Sequence, residues 1–299
     1  MQKIWASLAM LLATVLWGVA FSAQSSGMDH VKPMLFTSLR SLVGVLALVI
    51  VVVTIDLFRF KRLTVWGDAR TAAERRKLLS GGLWCGLIIT AASGSQQCGL
   101  LYTSAGKTGF LTALYIIFVP LLGILFFNRK TTPALLAALL LAMAGTYLLC
   151  GGVSSVGIGE WWVILCAGLF SLHVLVIDRY ALHCDCVRLS CIQFIAATVL
   201  SAVISWGLRE PWICSKIVSA LPFLLFCGIG SSAIAFTLQM VAQKYLHPVT
   251  AALLMSLESV FAVLGGWIFL QEKLSQREFW GCSVIMAAII LAQIPWKRR

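Results

Sequence analysis

Ten stretches of nearly unbroken apolar residues, separated by short polar joints, organise this chain: 4–23, 33–54, 79–101, 107–127, 133–151, 160–178, 189–207, 219–241, 248–270 and 278–295. Each is close to the about 20 residues that cross the hydrocarbon core of a bilayer. A backbone in hydrocarbon must satisfy its own hydrogen bonds, and continuous apolar runs of this length do so as helices rather than as alternating barrel strands. The pattern predicts an all-α integral membrane protein with ten transmembrane helices. The first run follows Lys3 and contains Ala20 and Ala23, small residues that suit a signal peptide. Its apolar stretch is too long for one and nine more runs follow, so it reads as helix one. The longest joint, residues 55–78, is too short for a folded catalytic domain. Function is therefore expected among the helices.

The runs repeat. Shifting the chain by 143 residues lays Gln96 on Gln239, Tyr102 on Tyr245, Phe118 on Phe261, Gly123 on Gly266, Phe126 on Phe269 and Lys130 on Lys273, and matches three leucines besides. The spacing divides the chain into two five-helix copies, 1–152 and 153–299. With an odd number of spans in each, the copies are expected to sit upside down relative to one another, the inverted-repeat arrangement of alternating-access carriers.

Composition narrows the class. With 299 residues, 60% of them hydrophobic and 11% charged, and a mean hydropathy of +0.95, the chain is no ordinary water-soluble globule. A net charge of +12 could suggest nucleic acid, but the placement of the cations points elsewhere. With the N-terminus inside, 16 of the 23 Lys and Arg residues fall in inside segments, including Arg59, Lys61, Arg62, Arg70, Arg75, Arg76, Lys77, Arg129, Lys130, Arg188 and Lys297 to Arg299. That asymmetry predicts cytoplasmic termini and a basic joint lying against anionic lipid headgroups, with no nucleic-acid partner.

Motifs for bound nucleotides and metals are weak. Gly106-Lys107-Thr108 has Leu101 where a phosphate loop needs its first glycine. Gly228-x-Gly230-x-x-Ala233 follows no strand and suits close helix packing. The ten cysteines contain no Cys-x-x-Cys pair. His183-Cys184-Asp185-Cys186 is a poor wrap for a tetrahedral metal. No cofactor, no metal and no enzymatic activity are expected.

Polar side chains deep in apolar runs cost energy and need a reason. Glu258 lies ten residues into the ninth run, roughly 15 Å from its start, with Ala251, Leu254, Ala262 and Gly265 on the same helical face. It reads as a substrate ligand or proton carrier, or as a buried packing residue. Arg40 in the second run could hold an anionic group, pair with a carboxylate or snorkel to the surface. His173 is either a proton relay or a hydrogen-bonded packing residue. Gln96 and Gln239, followed by Tyr102 and Tyr245, read as symmetry-related trims around two mouths or as interhelical hydrogen bonds. Tyr115 is the repeat counterpart of Glu258, and Trp17 is too deep for an interfacial belt.

Leu257-Glu258-Ser259-Val260-Phe261 through Gly266-Trp267-Ile268-Phe269-Leu270-Gln271-Glu272-Lys273-Leu274 resembles the ninth-helix signature of EamA-type proteins of the drug/metabolite transporter superfamily. Leu16-Trp17-Gly18, Arg40 and the stretch Phe110 to Pro120 resemble that family's first repeat. The resemblance implies a ten-helix carrier with a central cavity that moves amino acids, metabolites or drugs across a prokaryotic plasma membrane. Two departures stand out: Asn128-Arg129 replaces Gly-Glu at the end of helix four, and Ser259 replaces the proline after Glu258. The second departure predicts a less kinked ninth helix. The expected function is secondary transport of a small polar organic solute, with a proton as candidate coupling ion and a zwitterion suited to Glu258 and Arg40. A passive channel or facilitator, a lipid-modifying enzyme and a non-transport membrane subunit are the alternatives.

Overall fold

A computed structural model describes residues 2–59, 61–127, 133–150 and 156–293. The described residues form helices and no strands. Asn128, Arg129, Lys130 and Lys297 to Arg299 lie outside them.

The helices are α1 (Gln2–Met28), α2 (Pro33–Arg59), α3 (Ala72–Leu100), α4 (Ala105–Thr112), α5 (Tyr115–Phe127), α6 (Pro133–Cys150) and α7 (Ile158–Ala181). After them come α8 (Cys186–Gly207), α9 (Cys214–Leu225), a π-helical segment (Phe226–Ala235), α10 (Phe236–Gln243), α11 (Pro248–Met255), α12 (Glu258–Leu270) and α13 (Gln276–Gln293). Joined end to end, α4 with α5, α9 through α10, and α11 with α12 each make one rod. Among the described residues, eight rods are long and apolar enough to cross a membrane. The helices α6 and α13, 18 residues each, pack on one another at the periphery.

The repeat is carried by the elements themselves. Adding 143 to the bounds of α4, α5 and α6 gives 248–255, 258–270 and 276–293, the bounds of α11, α12 and α13. Both copies break their rod at the same place. Ahead of α5, Leu114 N donates to Leu111 O at 3.2 Å; ahead of α12, Leu257 N donates to Leu254 O at 3.3 Å. These are tightened three-residue turns. In the second copy Ser256 and Ser259 hydroxyls take up Leu253 O at 2.7 Å and Ser256 O at 2.8 Å, which keeps carbonyls satisfied away from water. The missing proline at Ser259 therefore does not leave this rod straight.

Glycines set how closely the rods approach. A Cβ on Gly18 would lie 2.2 Å from Phe261 Cβ, and one on Gly109 would lie 2.3 Å from Ala262 Cβ, so α1 and α4 close directly on α12. A Cβ on Gly228 would lie 2.8 Å from Arg40 O, which accounts for the glycine-rich π segment as a packing surface for α2. Large apolar side chains cover the outside, among them Leu46, Ile50, Trp206 and Trp267, as lipid contact requires.

Charged groups fasten both ends. At one end the Glu272 carboxylate accepts from Ala105 N at 2.9 Å and Gly106 N at 3.1 Å, capping α4, while Lys107 and Glu278 pair at 2.7 Å. At the other end Arg188 binds Asp56, binds Asp185 at 2.6 Å, and donates to Thr64 O at 3.0 Å. The sequence placed Arg188 among the cations of a joint. Its side chain is instead 3% exposed and pins the joint after α2 to the start of α8. Cys184 and Cys186, of the candidate metal cluster, turn into an apolar cluster with Leu78, Cys85 and Met240.

Candidate functional site

The two broken rods meet at the centre of the bundle. Each break makes its successor the first residue of a new half-helix, Tyr115 for α5 and Glu258 for α12. Both point into one cavity of about 30 Å³. The close α1–α12 and α4–α12 approaches that glycines permit bring Trp17, beside Gly18, and Thr112, in the turn after Gly109, to the same space. Arg40 from α2, Gln96 from α3 and Ser231 from the π segment complete its polar wall. Phe21, Phe170, Phe236 and Met255 form the apolar remainder. Trp17 sits edge-on to Phe236 with ring centroids 4.9 Å apart.

Arg40 is held by amides. Its Nη1 donates to Gln24 Oε1 at 2.8 Å, and Gln97 Nε2 donates to the same oxygen at 2.8 Å. Gln24 Nε2 in turn donates to Ala20 O at 3.1 Å. Arg40 is 5% exposed and does not snorkel. Arg40 and Glu258 share the cavity, whereas the pairs Arg59–Asp68, Lys107–Glu278, Arg188–Asp56 and Arg188–Asp185 lie at the ends of the bundle.

Four buried polar atoms on cavity-lining residues have no hydrogen-bond partner among the described residues: Trp17 Nε1, Arg40 Nε, Tyr115 Oη and Glu258 Oε1. Tyr115 Oη and the Glu258 carboxyl face the same cavity. Buried polar groups are rarely left unsatisfied, because each costs about 1–3 kcal/mol. Two donors, a hydroxyl and a carboxylate facing one small space thus make a set that a ligand with an acceptor end and a donor end would complete. The cavity holds roughly one or two waters as it stands.

Five of the seven residues singled out from the sequence, Trp17, Arg40, Gln96, Tyr115 and Glu258, line this cavity. His173 and Gln239 do not. His173 Nε2 lies 2.7 Å from Gln193 Oε1, and its ring packs edge-on against Phe236 at 5.8 Å, one ring behind the cavity wall. Gln239 Nε2 donates to Met255 Sδ at 3.6 Å, and Gln96 Nε2 donates to Thr112 Oγ1 at 3.4 Å. The 143-residue shift relates these two contacts, so the glutamines keep equivalent places in the two copies. Gln96 lies in the central wall instead of trimming a mouth, while Tyr102 and Tyr245 are exposed near the rod ends. Gln24, Gln97, Thr112, Ser231, Phe236 and Met255 escaped the sequence reading. Gln24 and Gln97 carried a usable signal, as amides in apolar surroundings; Phe236 and Met255 carried none. Among the described residues no three His, Cys, Asp or Glu side chains come together as a metal site.

Comparison with known proteins agrees with this architecture. The model of the EamA-like transporter family matches the chain twice, over residues 4–151 and 157–293. An uncharacterized transporter of Archaeoglobus fulgidus is 25% identical over 293 residues, which cover 98% of this chain and 87% of that protein. The uncharacterized transporter YoaV of Bacillus subtilis is 21% identical over 297 residues, covering 98% of both. A solved crystal structure shares the fold with a TM-score of 0.71 at 20% identity, covering 96% of this chain and 95% of its own.

Proposed function

The chain belongs to the EamA-like transporter family, and on that footing we propose that it is a secondary carrier for a small polar organic solute, an amino acid or related metabolite in the first instance. It is a multi-pass membrane protein; we read its two five-helix copies as inverted, with both termini in the cytoplasm and the plasma membrane of a prokaryote as its location. The observation that carries the reading is the set of unpartnered polar atoms, Trp17 Nε1, Arg40 Nε, Tyr115 Oη and Glu258 Oε1, around the central cavity. Glu258 accepts from the solute's ammonium end, and Arg40 with Trp17 donates to its carboxylate end. The same carboxylate is the candidate carrier of a coupling proton.

A cavity of about 30 Å³ is about tenfold below the range of ligand pockets, so loading requires the half-helices to part. Rocking of one copy against the other would open the site to one side at a time, with the breaks ahead of α5 and α12 as hinges. The Glu272 cap and the Lys107–Glu278 pair would release when the α4–α12 end opens. A passive facilitator is the second reading, and a cavity this small favours it less than a carrier.

The test is flux into proteoliposomes, with the solute found by a thermal-shift screen of metabolites, since a ligand that binds the folded state stabilises it. Glu258→Gln should abolish the stabilisation and cut flux while the protein still inserts. Unchanged flux and pH profile in that variant would remove Glu258 from the mechanism, and absence of countertransport would favour the facilitator.

A further inference from the structure

Phe236 stands between two groups of polar side chains. Its ring meets the cavity residues Trp17, edge-on at 4.9 Å, and Phe170, stacked at 6.4 Å. Away from the cavity it meets His173 edge-on at 5.8 Å and Phe194 at 5.6 Å. Behind the ring His173 Nε2 lies 2.7 Å from Gln193 Oε1. With Nε2 as the donor, that bond leaves His173 Nδ1 an acceptor and Gln193 Nε2 a donor, both buried and without a partner among the described residues. Val174 O, next along α7, accepts from Gln243 Nε2 at 3.1 Å, and Gln243 Oε1 is a further buried acceptor without a partner. Phe236 and Gln243, spaced i and i+7, share a face of α10, so these atoms lead from the ring toward the end of the helix.

The repeat gives this buried group a counterpart. Arg40 stands seven residues on from Pro33, the start of α2, and Gln193 seven on from Cys186, the start of α8. The two helices run antiparallel: Arg188 at the start of α8 binds Asp56 near the end of α2, and Glu210 beyond the end of α8 accepts from Leu35 N at 2.7 Å. Arg40 and Gln193 therefore hold equivalent places on opposite sides of the middle of the bundle. Each is bound by the first helix of its own copy, Arg40 by Gln24 on α1 and Gln193 by His173 on α7. Arg40 opens on the cavity, whereas Phe236 covers the His173–Gln193 pair. A carrier that rocks between two related states exposes in one what it covers in the other. The ring is also placed to turn, because it directly follows the π-helical segment Phe226–Ala235. A π turn spends one residue more than an α turn, so converting one would swing Phe236 by about 100° about the helix axis.

On the carrier reading above, we propose that His173, Gln193 and Gln243 form a second polar station for the solute, covered in this state, and that Phe236 is the gate between it and the central site. The station offers hydrogen bonds in both directions but no carboxylate or guanidinium. That chemistry suits passage of a polar solute rather than its retention.

Thiol labelling of the full chain in proteoliposomes tests the proposal, with a trimethylammonium-ethyl methanethiosulfonate as probe and peptide mass analysis to separate each new thiol from the native ones. His173→Cys and Gln193→Cys should each react at least about tenfold faster than Cys85, because a station opens locally while a packed core opens only with the fold. Cys85 is fully buried in the apolar cluster with Leu78 and Met240 and reports any unfolding that a variant causes. Adding Phe236→Ala should speed both labels by about tenfold more and leave Cys85 slow. His173→Leu with Gln193→Leu removes both polar partners together, so it should melt close to the wild type, yet take up tritiated amino acids at least about tenfold more slowly. The proposal is overturned if both new thiols react no faster than Cys85, or if the double leucine variant takes up amino acids at the wild-type rate. Labelling needs no solute, so a wild type that takes up no amino acid would remove the solute reading while the labelling still decides the gate.

Discussion

Replacing Gly18 by alanine adds one methyl group at the closest approach found at any of the described glycines. The new Cβ would stand 2.2 Å from Phe261 Cβ and 2.9 Å from Glu258 O, with Phe261 C also at 2.9 Å. None of these is the end of a flexible side chain. Ordinary contact begins at 3.4 Å, so α12 must move away from α1 by at least about 1.2 Å, the difference between 3.4 and 2.2. Overpacking of this kind costs about 1–3 kcal/mol, and alanine returns up to about 1 kcal/mol of helix propensity. With the full propensity gain a net loss of up to about 2 kcal/mol remains, read as a melting temperature lowered by up to a few degrees in detergent. Gly168→Ala in α7 provides the calibration, because nothing lies within 4 Å of its new Cβ and only the propensity gain applies. The displacement also separates Trp17 from Glu258, so solute stabilisation of Gly18→Ala should fall along with its intrinsic melting temperature. If Gly18→Ala melts no lower than Gly168→Ala, the close seating of α1 on α12 is wrong, and the site built on it goes too.

Arg188→Gln should lower stability by about 3 kcal/mol, because it leaves Asp56 buried without its cation. Adding Asp56→Asn should recover part of that loss, and chemical unfolding of the three variants checks it. Tyr115→Phe should melt no lower than the wild type, since its hydroxyl has no partner to lose among the described residues. Its KM for the transported solute should rise about two- to tenfold if that hydroxyl binds the solute; an unchanged KM in proteoliposomes would take Tyr115 out of the site.

Much of the architecture could be read along the chain, for a reason specific to lipid. Hydrocarbon offers the backbone no alternative partner, so apolar runs of the required length become helices whatever their neighbours, and the observed bounds lie within about two turns of the runs. α6 begins at Pro133 and α11 at Pro248, each at the start of its run. The cost of burying polar atoms likewise marked Glu258 and Arg40 before any contact was visible. The breaks ahead of Tyr115 and Glu258 were not legible, because Ala113-Leu114 and Ser256-Leu257 carry no glycine or proline and fit an unbroken helix equally well. The π segment was equally hidden.

By its own pattern the sequence determined a helical membrane protein, the 143-residue repeat, and which polar groups would need a purpose. Only the tertiary structure decided which of those groups face one another. It gathered Trp17, Arg40, Gln96, Tyr115 and Glu258 around one cavity, sent His173 to Gln193, and turned Arg188 from a presumed surface cation into a buried tie on Asp56. A helix satisfies its hydrogen bonds in any rotation about its own axis, so the direction of a side chain is set by packing against other helices, here by Gly18, Gly109 and Gly228.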